Sequence, residues 1–250
     1  MAGHSKWANI KHRKGRQDAR RSKIWSKCSR AIIVAARNGG GDPDTNLNLR
    51  YAIDEAKAQN MPKDTIENAI KKGTGQDESA HYETVVYEGY GPAGVAILAE
   101  AMTDNRNRTA PELRKLFEKH GGNLGATGCV AYNFTQRGQL FVSKDAAGEE
   151  DLMAAAIDAG LDEVIDAGES WQILTDPGDF LPVREALEAA GIPIESAQIT
   201  MIPGTTVEVT GRDAEKTLAL MEGLEDHDDI QHVYANFDIP DAEMAALGSE

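Results

Sequence analysis

At Gly73-Thr74-Gly75 the hydrophobic period of this sequence changes, and that change limits the folds open to it. Before it, apolar residues recur at helical spacing. From about Gln17 to Asn38, Ile24, Trp25, Cys28, Ala31, Ile32, Ala35 and Ala36 gather on one arc, at about 100° per residue. Arg16, Arg20, Lys23, Lys27, Arg30 and Arg37 gather roughly opposite. Gly39-Gly40-Gly41 ends this helix, because glycine takes the left-handed cap without strain. A second helix is expected from about Thr45 to Gln59, with Leu49, Ala52, Ile53 and Ala56 inward and Asp42 or Thr45 as its cap. Pro62 suits the first turn of a third helix, about 62–72, where its missing N–H is not needed. The polar stretch 73–80 places a boundary near residue 78.

Beyond it, short alternating runs replace the helical stripe. Tyr82–Tyr90 and Val95–Met102 read as strands joined by Gly91-Pro92-Ala93-Gly94. Thr109–His120 reads as a helix with Leu113, Leu116 and Phe117 inward, and Val130–Phe134 as a strand. A compact cycle follows: strand 139–143, helix 149–159, strands 163–167 and 171–175, helix 177–190, strand 196–202. That order is βαββαβ, the ferredoxin-like arrangement. Strand 206–210, helix 214–224 and strand 231–237 complete the chain. Joined to the elements before residue 135, they make a second α+β sandwich. The expected fold class is therefore α+β multidomain: an N-terminal three-helix domain followed by two ferredoxin-like α+β domains, the third inserted in the second. The expected divisions are 1–78, then 79–134 plus 205–240, then an inserted acidic domain at 135–204.

The 250 residues carry a formal charge of −15, which taken whole disfavours a phosphate-bearing partner. The charge is unevenly placed. Residues 1–73 hold 16 Lys+Arg against 7 Asp+Glu, a balance of +9. Residues 145–250 hold 3 against 26, a balance of −23. A basic head and an acidic tail region imply an oriented partner surface. The sharpest feature lies in the head. Lys6 to Arg16 packs five Lys/Arg (Lys6, Lys11, Arg13, Lys14, Arg16) with Trp7 and His12 into eleven residues. Cations neutralise phosphates and release counterions, and an indole stacks on an unpaired base. The bland alternative is a solvated basic tail with Trp7 docked on the core. The helix that follows adds Arg20, Lys23 and Lys27 to the candidate surface and tips the reading toward nucleic acid, DNA or ribosomal RNA.

Other motifs carry less. Gly89-Tyr90-Gly91-Pro92-Ala93-Gly94 fits GxGxxG, but a strand follows where a dinucleotide loop needs a helix, so it reads as a hairpin turn. Asp42-Pro43-Asp44 begins like a calcium loop, yet Leu47 and Ile53 stand where glycine and glutamate are required. Asp104-Asn105-Arg106-Asn107-Arg108-Thr109 sets two arginines on a strand-to-helix loop, where Arg106 and Arg108 can grip phosphates while Thr109 caps the helix in a box with Glu112. The glycines of 121–128 either admit an anion to backbone N–H groups or make a tight turn, the second being favoured. Cys28 and Cys129 stand 101 positions apart without a metal-ligand spacing, so reduced thiols and a cytoplasmic location are expected. No HExxH, GxSxG or P-loop occurs, and neither enzyme activity, cofactor nor metal is expected. The start, Met1–Lys6, leads into charge rather than a signal segment, and the longest apolar run, Ala31–Ala36, is far short of the ~20 residues a membrane span needs.

Several uninterrupted runs resemble the YebC/PmpR family. They are Ala2-Gly3-His4-Ser5-Lys6-Trp7-Ala8-Asn9-Ile10-Lys11-His12-Arg13-Lys14, Gly39-Gly40-Gly41-Asp42-Pro43, Asn60-Met61-Pro62-Lys63-Asp64-Thr65-Ile66, Tyr87-Glu88-Gly89-Tyr90-Gly91-Pro92, Thr103–Thr109 and Lys119–Gly125. The resemblance implies a helical domain followed by two α+β domains, and a cytoplasmic DNA-binding regulator of transcription. It also implies an alternative, because some members are translation factors that bind the ribosome and relieve stalling, for example at proline runs. No catalytic residues come with it. Ala93 stands where the family pattern has glycine, and Cys129-Val130-Ala131-Tyr132 where Ser-Val-Ser-Trp is commoner.

Overall fold

The computed structural model describes residues 18–75, 82–240 and 243, with side chains from Ser22 onward. Three helices come first: α1 (Asp18–Gly39), α2 (Leu47–Ala58) and α3 (Lys63–Thr74). Their apolar stripes meet in one core built on Cys28, Ile32, Ala36, Leu49, Ile53 and Ile66. Ile24, expected inward, is 37% exposed, because the buried stripe of α1 begins only at Trp25 and Cys28. Burial, then the charge of Glu55, pushes the Cys28 thiol up to about 11, so it stays protonated at neutral pH. The cap of α2 is Asn46, whose side chain accepts from Leu49 N at 3.1 Å, and not Asp42 or Thr45. Asp42 instead closes the preceding turn by accepting from Asp44 N. Asn46 wins because its amide also bridges the carbonyls of Ala35 and Gly40, joining the end of α1 to the start of α2.

The chain divides into two compact units, one of residues 132–206 and one comprising the rest. In the larger unit, β1 (Glu83–Tyr90) and β2 (Ala96–Thr103) form an antiparallel hairpin, followed by α4 (Arg106–Lys119) and the short β3 (Asn123–Leu124). After the smaller unit come β8 (Val207–Glu208), α7 (Gly211–Glu225), β9 (Ile230–Ala235) and β10 (Phe237–Asp238). The sheet order is β3-β1-β2-β9, with every neighbouring pair antiparallel. Alternate residues of β2 share a face, so Ile97, Ala99 and Ala101 pack together against Leu113 and Phe117 of α4 and Leu220, Met221 and Leu224 of α7. The expected strand at 206–210 shrinks to Val207–Glu208, which pairs parallel with Phe237–Asp238 outside this sheet. The sheet's edge beside β1 is filled instead by Asn123–Leu124, within the stretch read as a turn.

The smaller unit contains β4 (Phe134–Ser143), α5 (Glu149–Ala156), β5 (Leu161–Asp166), β6 (Ser170–Thr175), α6 (Phe180–Ala189) and β7 (Ser196–Pro203). Its sheet order, β5-β6-β4-β7, is entirely antiparallel and is the ferredoxin-like order. The strand expected at 130–134 does not form: residues 131–133 make a single 3-10 turn, and β4 starts at Phe134 and runs unbroken through the strand expected at 139–143. Gly138, which looks like a break, lies in the strand because Thr175 and Phe180 occupy the space a side chain would need. The chain thus has a helical N-terminal region followed by two α+β sheet structures.

Candidate nucleic-acid interface

The cations singled out in the sequence have different fates. Lys6, Trp7, Lys11, His12, Arg13, Lys14 and Arg16 lie outside the described residues. Arg20 is in α1, with its side chain outside the description. Lys23 is exposed and Lys27 half-buried, and both are bonded within the chain. Lys27 Nζ donates to the Glu225 carbonyl at 2.6 Å and Lys23 Nζ to the Asp226 carbonyl at 3.2 Å. Arg30 donates to the Asp228 carbonyl and sits over the Tyr82 ring at 5.5 Å. The last carbonyls of a helix have no intrahelical partner, and they carry the negative end of its dipole. The basic side of α1 therefore caps the C-terminal end of α7, a partner about 200 positions away that no local pattern reveals.

A buried carboxylate completes this junction. Asp229 is 3% exposed. It accepts from Arg108 Nη2 at 2.7 Å, Thr109 Oγ1 at 2.8 Å, Thr103 Oγ1 at 3.3 Å and Arg30 Nη1 at 3.3 Å. Burial pushes its carboxyl up, but the bonds from Arg108 and Thr109 and the charge of Arg30 outweigh this and hold it below the usual range. Arg108 also reaches Asp104 at 3.1 Å, and Arg106 pairs with Glu83 at 2.7 Å. The two arginines expected to grip phosphate are thus each engaged within the chain. Thr109 is not a cap. Asn105 caps α4 by accepting from Arg108 N, so the helix starts at Arg106 and carries Thr109 inward to Asp229.

The glycine-rich loop does hold an anion, and the anion is internal. Glu88, 4% exposed, accepts from Gly128 N at 2.6 Å and from Val130 N and Ala131 N at 2.8 Å each. Burial raises its carboxyl, and these three backbone donors more than reverse that. Tyr90 Oη reinforces the loop by donating to the Cys129 carbonyl at 2.8 Å. The Gly89–Gly94 segment is a hairpin turn between β1 and β2, as its flanks require. Ala93 there stands at φ 54°, the left-handed region that favours glycine. Asp229 and Glu88 are the organising residues that sequence reasoning misses. The signal for Glu88 is a carboxylate set among Tyr87, Gly89 and Tyr90 in the second half of a strand; Asp229 has none beyond its place just before β9. Among the described residues no group of three or more His, Cys, Asp or Glu is placed to hold a metal, and no described helix is long and apolar enough to cross a membrane.

A helical head docked through its basic side onto an α+β sandwich, with a ferredoxin-like unit inserted in the chain, defines a multidomain class of chain. The chain belongs to the TACO1/YebC family: residues 5–76 match the TACO1/YebC N-terminal domain and residues 82–237 the TACO1/YebC second and third domain. A "probable transcriptional regulatory protein" of Geobacter sulfurreducens is 56% identical over 247 residues, spanning 99% of this chain and 100% of its own length. Another so described, from Natranaerobius thermophilus, is 55% identical over 98% of this chain and 99% of its own. The crystal structure of a conserved hypothetical protein from Aquifex aeolicus matches with a TM-score of 0.79 at 49% identity, covering 90% of this chain and 93% of that one. These curated relatives are named as regulators rather than enzymes.

Proposed function

We propose that this chain is a cytoplasmic nucleic-acid-binding regulator of gene expression, acting on DNA to control transcription, and that its basic segment 6–16 supplies the binding. The observation that carries this is the charge placement. Segment 6–16 brings five cations, and the first carboxylate of the chain is Asp18. Lys23, Lys27 and Arg108 also hold contacts within the fold, so the reading rests first on that segment. The relatives' names support regulation of transcription. Five phosphate contacts give a slope of log affinity against log salt of about −4.5 on duplex DNA. A regulator that reads sequence holds its promoter over random duplex at physiological salt. Identical affinities for promoter and random duplex across a salt titration sink the DNA reading.

A second reading, a translation factor on ribosomal RNA, is favoured by Trp7 and His12 among the cations, because folded RNA offers unstacked bases to such side chains. It predicts co-sedimentation with ribosomes that disappears in the Lys11/Arg13/Lys14→Ala variant. Absence of association even at low salt eliminates it.

A further inference from the structure

At its C-terminal end the charge pattern of α7 runs against its dipole. A helix favours acids near its N-terminus and bases near its C-terminus. Here Glu222, Glu225 and Asp226 stand at the C-terminal end, and Arg212 and Lys216 share the first turns with Asp213 and Glu215. The misfit at the C-terminal end is resolved inside the chain by Lys23, Lys27 and Arg30. The two cations of the N-terminal end are not taken up in this way. Gly211 N is taken by the Glu243 carboxylate at 2.9 Å, but Arg212 and Lys216 hold no ion pair or side-chain hydrogen bond among the described residues.

Helix α4 brings more of the same charge to this place. It packs antiparallel to α7: His227 Nε2 lies 3.0 Å from Glu112 Oε2, and Leu116 lies against Gly223. At the opposite end Lys216 Nζ reaches within 3.7 Å of the Cβ position at Gly121, in the turn that ends α4. Lys115 and Lys119, one helical turn apart, fall on the side of α4 that borders α7, and Arg212 and Lys216, likewise spaced, on the side of α7 that borders α4. Lys115, Lys119 and Arg212 are exposed and Lys216 is half-buried. Neither Lys115 nor Lys119 has an ion pair among the described residues, whereas Arg137, Lys144 and Arg184 of the smaller unit are each paired with a carboxylate. Glu118 and Glu215 stand three residues on from Lys115 and Arg212, on neighbouring faces of their helices, so Lys119 and Lys216 are the cations nearest the shared seam. Burial, and then the charge of Lys119, holds His120 below the ordinary histidine value, so it adds no charge to this place at neutral pH.

We propose that Lys115, Lys119, Arg212 and Lys216 form a second anion-binding surface, which contacts the phosphodiester backbone of the nucleic acid held by segment 6–16. This rests on the nucleic-acid reading above and extends it to a place that reading does not use. Four cations from two packed helices, aligned along one seam, match the linear charge of a backbone rather than a single small anion.

The test is fluorescence anisotropy with two labelled probes of mixed sequence, a 30-nucleotide single-stranded RNA and a 30-base-pair DNA duplex, titrated from 50 to 250 mM KCl. The full chain is compared with Lys119→Ala/Lys216→Ala, with Lys11/Arg13/Lys14→Ala, and with Lys57→Ala/Lys63→Ala as a control of equal charge loss. On whichever probe the unaltered chain binds more tightly, Lys119→Ala/Lys216→Ala loses roughly tenfold in affinity at 100 mM salt, and its salt slope falls by about 1 per cation removed. The Lys57/Lys63 control stays within twofold. An unchanged affinity and slope for Lys119→Ala/Lys216→Ala, while the Lys11/Arg13/Lys14 variant weakens, overturns the second surface and leaves the first standing. An equal loss in the Lys57/Lys63 control overturns it too, since net charge alone then explains the effect. No binding by the unaltered chain at 50 mM overturns the nucleic-acid reading itself.

Discussion

Replacing Asp229 tests the junction between α1 and the α+β sandwich. Asp229→Ala removes one acceptor from four donors, two of them close: Arg108 at 2.7 Å and Thr109 at 2.8 Å. A bond to a charged group contributes about 1.5–3 kcal/mol net, and the lower figure suits Arg108, whose side chain is 45% exposed and rehydrates. Thr109 is fully buried but keeps the Asn105 carbonyl and Thr103 Oγ1, so it loses about 1 kcal/mol. The longer bonds from Thr103 and Arg30 bring the total to roughly 3 kcal/mol. At about 2–4 °C per kcal/mol for a chain of this size, the midpoint falls by about 6–12 °C. Urea unfolding followed by tryptophan fluorescence in a Trp171→Phe background reads the unit that contains Trp25 and Asp229. The pH dependence adds a second check. The folded Asp229 carboxyl is depressed below its ordinary 3.8, so its stabilisation is complete above that value and disappears as pH falls through the folded one. The difference between the unaltered chain and Asp229→Asn is therefore flat from pH 7 to about pH 5 and shrinks below about pH 4. A loss under about 1 kcal/mol, or a difference that does not shrink in acid, refutes the buried-hub account.

Three other substitutions probe the remaining organising contacts. At Gly73 a Cβ would stand 2.6 Å from the Ile33 carbonyl and 2.7 Å from Ala36 Cβ, so Gly73→Ala forces α3 off α1 and costs about 1–3 kcal/mol by chemical denaturation, despite alanine's better helix propensity. Ala93→Gly relieves the left-handed strain at φ 54° and raises stability by up to about 1 kcal/mol, where a plain loss of alanine contacts would lower it. Glu88→Gln leaves three backbone donors facing one carbonyl oxygen and an amide; hydrogen exchange at Gly128, Val130 and Ala131 should accelerate at least tenfold, and unchanged protection contradicts the role given to Glu88.

Local periodicity predicts most elements because their burial is one-sided. Leu49, Ile53 and Ala56 repeat at helical spacing and all three are buried in one core. The errors arise where the decisive partner is distant. Thr109 has the sequence of a cap, yet Asn105 takes that place and Thr109 turns to Asp229, 120 positions on. Gly138 interrupts a strand pattern that the sheet nevertheless continues, because Thr175 and Phe180 need its missing side chain. The candidate interface is legible in the same uneven way. Cation spacing gives α1 a basic side, but Lys23, Lys27 and Arg30 serve the end of α7, which only the tertiary structure places beside them. Segment 6–16, whose charge has no acidic neighbour before Asp18, is read from the sequence alone.

That segment is the centre of the functional account, and ultraviolet crosslinking in cells, with sequencing of both DNA and RNA recovered on the purified chain, tests it most directly. The account predicts recovery of nucleic acid well above an unrelated control, crosslinked peptides from residues 6–16, and loss of most of that signal in Lys11/Arg13/Lys14→Ala. Recovery no higher than the control, or recovery unaffected by the substitution, contradicts it.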